Sequence, residues 1–475
     1  MHCGTIWLID KCLDMKILIR IAFVLLFFSL AFLHNAGAQK KINPAASEKR
    51  GDLYATIQEF GNAEEQYMDI LSSGTIDILT YDRVNIKLAT TLYNVRRYSE
   101  ADKRFETVFV RNKKAFTPEF ASAYVSTLIR LGKFQRAIEV SNSFSGNQPL
   151  FKHYKPLQNL KSGLEYQANL PVVVPYKVSI SDANVPGSNY ASTQYSNGIL
   201  FVHHDNEEQS LIKGAQFYIY NGDKSVVYDK ISHTLQAGPA AYDKSSNIII
   251  CTDNRYLGKG FVRELKDQTL VTNLLRLIEL SYDAKTEMWE NPKDVFKDKT
   301  MFSTCHPTVT DDGKRMYFSA NFTDAVGNMD IYMCTRAGKS WAKPTNLGYI
   351  VNTKNDEMYP YVYQNRLYFV SNGHNGFGGM DIYYVELDSN GMPIEGSLVH
   401  MPYPINTIYN DYALIHETSD RGYFSSDRPE GRNLDTIYQW IEEEEALPEN
   451  SLKDGSSVIV KPNQNAVNSS NKVNL

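Results

Sequence analysis

Near its C-terminal end this chain writes one segment three times, and that repetition constrains its fold more than any other feature. Residues 316–333 read MYFSANFTDAVGNMDIYM, residues 367–385 read LYFVSNGHNGFGGMDIYYV, and residues 422–440 read GYFSSDRPEGRNLDTIYQW. Each copy is an aromatic strand, a small polar break, a Gly/Asn-rich turn, and a second strand opening on Asp-Ile-Tyr or a close variant. The aromatic-to-Asp spacing is nearly fixed: 12 residues from Phe318 to Asp330, 12 from Phe369 to Asp381, and 11 from Phe424 to Asp435. Repetition at a period of about 50 residues describes units that cannot each bury a face alone. Two strands per copy, with room for two more, make a four-stranded blade, and such blades close into a propeller.

The strand pattern extends upstream. Ile199–Val202 and Ile248–Cys251 each follow a turn signal, Ser196-Asn197-Gly198 and Lys244-Ser245-Ser246-Asn247, just as Asp311-Asp312-Gly313 precedes Met316–Phe318. Linking segments repeat too: Trp289 and Pro292 recur as Trp341 and Pro344, and Asn352-Thr353 recurs as Asn406-Thr407. Five blades follow, or six if residues 255–284 form one of their own. The last copy is expected to pair with Tyr176–Ile180, because an unpaired first strand would leave an exposed edge. Phe318, Phe369, Phe424, Trp289 and Trp341 are read as structural repeat positions.

Residues 46–145 are helical by pattern. Aromatics recur at Phe60, Tyr98 and Phe134, and small residues three positions later at Ala63, Ala101 and Ala137, with spacings of 38 and 36. The alanines let paired helices approach, and the aromatics are expected to fill the groove between neighbours. The spacing resembles degenerate tetratricopeptide repeats, sealed by a further helix over about 149–168. Pro171-Val-Val-Val-Pro175 marks the change to β-structure. With 475 residues the chain needs more than one core; a net charge of −5 supplies no basic field for nucleic acid.

The start of the chain reads as a targeting segment. From Met15, itself the expected true start, Lys16 and Arg20 precede the apolar run Ile21–Leu33 and the small-residue site Ala36-Gly37-Ala38. Residue 39 is Gln, which argues against lipidation. The expected plan is a signal peptide over 1–38, helical repeats over 39–170, a propeller over 171–441 and a disordered tail over 442–475, whose composition cannot order itself. Cleavage leaves Cys251, Cys305 and Cys334, read as buried free thiols.

Residues 306–382 resemble the PD40 type of WD40-like propeller repeat, also seen in TolB-like propellers. The matching positions are Pro307, Asp312-Gly313-Lys314, Tyr317-Phe318-Ser319, Asn328, Asp330-Ile331-Tyr332, Trp341, Pro344, Leu347-Gly348, Asn352-Thr353, Glu357 and Pro360. The order of signal peptide, tetratricopeptide-like helices and propeller is similar to that of OmpA-related envelope proteins of bacteria with type IX secretion and gliding. That resemblance implies an exported, periplasmic, outer-membrane-associated protein that partners other envelope proteins. It departs from the family in lacking an OmpA-like domain, so direct peptidoglycan binding is not expected, nor is a membrane span.

No contiguous catalytic signature is present: no G-x-S-x-G, no H-E-x-x-H, no phosphate loop. His203-His204-Asp205 is the densest ligand-like cluster, but adjacent strand residues face opposite ways. His306 and His374 lie at strand starts or turns. Asp330, Asp381 and Asp435 are read as acceptors for turn N–H groups, and Asp311-Asp312-Gly313 as a hairpin turn. The chain is therefore expected to be a non-catalytic scaffold without cofactor or metal. The alternative is a carbohydrate- or peptide-binding module, or accessory enzyme, working at the channel mouth.

Overall fold

The computed structural model describes residues 42–443 apart from 57–58, 75, 145–148, 172–173, 197, 206–214, 232–236, 254–261, 266–267, 272–274, 297–301 and 432–433. The expected signal peptide and all but the first two residues of the expected tail lie outside the described residues. The chain divides into two compact units, residues 1–161 with 259–273, and residues 162–258 with 274–475.

The first unit is helical from Pro44: Pro44–Thr56, Phe60–Ser72, Ile78–Asn94, Tyr98–Asn112, Pro118–Arg130, Phe134–Phe144 and Pro149–Lys152, followed by Lys155–Gln167, which runs past its end. Local chemistry sets these boundaries. The Asp77 carboxylate accepts from Leu79 N and Thr80 N at 2.9 and 3.0 Å, satisfying donors that a helix start leaves over. Thr117 caps the Pro118–Arg130 helix, its side chain accepting from Phe120 N ahead of Pro118. Ala63, Ala101 and Ala137 are wholly buried, as close helix approach requires. The aromatics behave differently. Phe60 and Tyr98 are half-buried and Phe134 is 37% exposed. Each is the first residue of its helix, where one side always faces solvent, so none is a full groove-filler. The helices do not establish a tetratricopeptide-like solenoid. The single sealing helix expected over 149–168 is two helices, parted before Lys155-Pro156. Among the described residues no helix is long and apolar enough to cross a membrane.

The second unit is a five-bladed β-propeller. Strand β1 (Tyr176–Ile180) belongs to the last blade. Blade one is β2 (Ser188–Tyr195), β3 (Gly198–His204), β4 (Gln216–Tyr220) and β5 (Ser225–Val227). Blade two is β6 (Ala237–Asp243), β7 (Ile248–Asp253), β10 (Arg276–Asp283) and β11 (Met288–Asp294). It is interrupted by a separate hairpin, β8 (Val262–Leu265) with β9 (Gln268–Val271). Residues 255–284 thus contribute that hairpin and β10 of blade two instead of a sixth blade. Blade three is β12 (Thr304–Val309), β13 (Arg315–Ala320), β14 (Asp330–Ala337), β15 (Ser340–Trp341) and β16 (Thr345–Asn346). Blade four is β17 (Glu357–Tyr363), β18 (Arg366–Ser371), β19 (Asp381–Glu386) and β20 (Val399–His400). Blade five is β21 (Asp411–His416), β22 (Arg421–Ser426) and β23 (Thr436–Glu442), completed by β1. Tyr176 opposes Glu442 and Ile180 opposes Tyr438, so the chain's first propeller strand closes the ring. Glu442, the first residue of the expected tail, is the last residue of β23.

Four blades repeat a cross-strand aromatic pair: Phe201 with Tyr218, Phe318 with Tyr332, Phe369 with Tyr383, and Phe424 with Tyr438. The last three are stacked, with ring centroids 5.6–6.2 Å apart. Each phenylalanine is buried, worth about 1.5–3 kcal/mol over exposure. In blade two the slot holds Thr252 opposite Leu277.

The recurring asparagines are backbone clamps. Asn352 Oδ1 accepts from Ile331 N while its amide donates to Ile331 O, at 2.8 and 3.0 Å. Asn406 holds Ile382 in the same way at 2.8 Å on both sides. Asn184, just after β1, does this to Ile437 at 2.9 and 2.8 Å. The same amide thus ties three linkers to the third strand of a blade.

Candidate functional site

Every innermost strand carries a β-bulge at the same place. The register slips between Tyr190 and Thr193, Ala237 and Ala240, Cys305 and Thr308, Met358 and Tyr361, and Tyr412 and Ile415. In four blades the bulge residue adopts φ of +51° to +55°: Ala191, His306, Tyr359 and Ala413. Such a backbone is sparsely populated for non-glycine residues, and bulges of this kind re-aim side chains. They narrow the central channel to a cavity of about 40 Å³. His306 stacks on Tyr359 with ring centroids 3.9 Å apart and planes 13° apart. Burial holds the His306 imidazole down to about 3, so it is neutral.

The channel opens into a larger cavity of about 830 Å³ that shares Thr193, Thr308 and Tyr361 with it. Its lining comes from four blades. Tyr195 and Tyr228 come from blade one, Tyr242, Tyr282 and Trp289 from blade two, Thr308 and Asp311 from blade three, and Tyr361 and Tyr363 from blade four. The aromatic floor is held by its own contacts. Trp289 Nε1 donates to Tyr228 Oη at 2.9 Å and Tyr195 Oη at 3.2 Å, and the two phenol oxygens are 2.6 Å apart. Tyr282 and Tyr242 pack on the Trp289 ring at 5.2 and 5.9 Å. Trp289 is 2% exposed and Tyr282 is 37% exposed. Burial raises the Tyr228, Tyr242 and Tyr361 phenols above their ordinary range, which keeps them protonated near neutrality. The rim is polar: Gln194, Lys244, Asn247 and Asp311 are exposed.

Most of the residues singled out in the sequence are elsewhere; Trp289 and Asp311 line the cavity and His306 lines the channel. Asp330 accepts from Val326 N and Gly327 N at 2.6 and 3.0 Å, and Asp381 from Phe377 N at 2.6 Å. Both are buried turn acceptors opening the third strand of a blade. Asp435 is not their equivalent. The register opposes Ala320 to Asp330, Ser371 to Asp381 and Ser426 to Thr436, so Thr436 fills that slot. Asp435 lies one residue outside the strand, and its carbonyl accepts from Asn189 N at 2.6 Å. His203 is buried between Asn189 Oδ1 at 3.1 Å and Asp205 Oδ1 at 3.0 Å, while His204 is half-buried. His374 Nε2 lies 2.8 Å from Val351 O. Asp312 accepts from Lys314 N at 3.0 Å in a hairpin turn completed by Gly313 at φ +66°. Cys251, Cys305 and Cys334 are buried free thiols in strands.

Trp341 caps β14 as a structural residue, under the Arg336 guanidinium at 4.0 Å. Trp289, by contrast, backs the cavity. Its tyrosine neighbours went unmarked because they belong to no repeat. Among the described residues no group of three or more His, Cys, Asp or Glu is placed to hold a metal ion.

No known protein family matches the sequence, and no curated protein matches it. Among solved structures the chain is similar to a native arabinanase of Bacillus subtilis, 10% identical, over 56% of this chain and 96% of that one, with a TM-score of 0.35. It is also similar to a glycoside hydrolase 43 endo-arabinanase of Bacillus licheniformis, 8% identical, over 54% and 94%, with a TM-score of 0.33. A puromycin-hydrolysing peptidase of Mycobacterium tuberculosis is 11% identical over 51% of this chain, which spans 35% of that protein's length, with a TM-score of 0.29. These likenesses are too slight to transfer an activity.

One expectation is nonetheless withdrawn. The reading as a non-enzyme rests only on missing contiguous motifs, and the solved structures the chain is similar to include arabinanases. Glycoside hydrolysis needs a pair of carboxylates, which separate blades can supply without any contiguous signature. The non-enzyme reading is therefore withdrawn.

Proposed function

We propose that this chain is a carbohydrate-binding propeller whose ligand seats in the aromatic cavity at the channel mouth. One observation carries the reading: aromatic side chains from three blades converge on a single cavity of about 830 Å³ with a polar rim. A sugar ring has C–H faces that pack on aromatic rings and an edge of hydroxyls that needs hydrogen-bonding partners. Tyrosine supplies both an apolar body and a polar tip, and the size suits a pocket that buries most of its ligand. The rings pack edge-on against one another instead of standing around an empty centre, which favours a flat ligand over a caged cation. Binding is the proposed activity. The sequence resemblance adds a setting, export to the bacterial envelope, where glycans and envelope proteins are the available partners.

The test is calorimetric titration of the purified chain with cellotriose, xylotriose, maltotriose and chitotriose. Saturable binding to at least one, weakened by Tyr282→Ala without loss of folding, supports the reading. Absence of binding to every one, or binding indifferent to Tyr282→Ala, overturns it.

A further inference from the structure

The hydrogen-bond arithmetic of the cavity floor fixes what its ligand must offer. Tyr195 and Tyr228 each own one phenolic proton, and Trp289 Nε1–H is a donor only. The Trp289 proton lies toward the two phenol oxygens, at 2.9 and 3.2 Å. One phenol proton occupies the 2.6 Å gap between the oxygens. The other phenol proton has no acceptor among the described residues. Both phenols line the cavity, and burial together with the Tyr195 hydrogen bond holds the Tyr228 proton on.

Resting on the carbohydrate reading, we infer that this tyrosine pair presents one net O–H donor to the ligand. The recognised group is then an acceptor oxygen: a ring oxygen, a glycosidic oxygen or a hydroxyl accepting at its lone pair. Tyr195 and Tyr228 act as one interchangeable donor. Removing either hydroxyl frees the other's proton, because the acceptor it faced is gone. Removing both leaves none.

The experiment uses whichever trisaccharide of the panel binds the wild-type chain. Tyr195→Phe and Tyr228→Phe each are expected to bind within about threefold of wild type, and Tyr195→Phe/Tyr228→Phe about tenfold more weakly, the worth of one neutral hydrogen bond. Thermal unfolding of each variant is followed in parallel, and the comparison is made at a temperature where all are folded. Equal, additive losses from the two single variants would overturn the shared donor, as would a double variant that binds like wild type. If no trisaccharide binds, the carbohydrate reading itself falls, which is a distinct outcome.

Discussion

Blades two and three place a tryptophan in the same slot and use it oppositely. Trp289 opposes Tyr282 across β10 and β11, and Trp341 opposes Arg336 across β14 and β15. In blade three the Arg336 guanidinium lies over the indole at 4.0 Å and reaches back to the buried Asp243 of blade two. The indole N–H of Trp341 has no partner among the described residues. In blade two the facing residue is an exposed tyrosine, and the indole N–H is spent on the tyrosine pair of blade one. One repeat position thus becomes a rivet between blades or the back wall of a cavity, depending on the residue opposite. Repeat membership identifies the slot, and its cross-strand partner decides the use.

The largest effect is expected from breaking the rivet. Arg336→Ala leaves Asp243 buried without its cation, although Ser245 still donates to the carboxylate from N and Oγ at 3.0 and 2.7 Å. Removing one partner of a buried pair costs about 3 kcal/mol, read as a lowered urea midpoint. A loss well under 1 kcal/mol would show that Asp243 does not need Arg336, and that blade three's tryptophan is not a rivet.

The repeats made part of this legible in sequence. Phe318, Phe369 and Phe424 sit a fixed distance from their partners because the turn between has a constant length, so spacing alone located the blades. Letter identity misled where spacing would not have: a 12-residue offset from Phe424 lands on Thr436, the true register, whereas matching Asp for Asp chose Asp435. The channel bulges were hidden because positive φ at His306 or Tyr359 has no glycine to announce it. Only the following Pro307 and Pro360 hint at a restricted backbone there. The cavity was hidden for another reason. Tyr195, Tyr228, Tyr242 and Tyr363 are brought together by ring closure, and no local pattern joins them.

A second repeated slot predicts a pH-dependent difference of at most comparable size. Glu357 opens the inner strand of blade four and Asp411 that of blade five, each accepting from a Thr N–H and a Ser hydroxyl. Asp411 also faces Arg428 at 2.9 Å; Glu357 faces no cation among the described residues. Burial pushes both carboxyls up, Asp411 against the Arg428 cation and Glu357 to about 7 against only the hydrogen bonds that lower it. A raised carboxyl contributes stability that is full below its ordinary 4.5 and is lost as pH rises towards 7. Glu357→Gln should flatten that slope by up to about 3 kcal/mol. The neutral His306 acts oppositely, losing stability as pH falls below 6.5, so the measurement is the difference between variant and wild type. An unchanged difference from pH 4.5 to 7 would place the Glu357 carboxyl at its ordinary value.

The smallest stability effect, and the sharpest test of the comparison, is to write blade three's residue into blade two. In Tyr282→Arg the guanidinium can lie on the Trp289 ring as Arg336 lies on Trp341. Tyr282 is 37% exposed, and among the described residues its ring contact is to Trp289. The folding free energy should therefore change by no more than about 0.5 kcal/mol. Sugar affinity should nonetheless fall, because a charged, hydrated group replaces an aromatic face over which a C–H surface could pack. The Tyr195–Tyr228–Trp289 hydrogen bonds remain, so any loss of binding belongs to the stacking face alone. If Tyr282→Arg binds a trisaccharide as tightly as wild type, the facing residue does not decide the slot's use, and the contrast between the two blades is one of packing only.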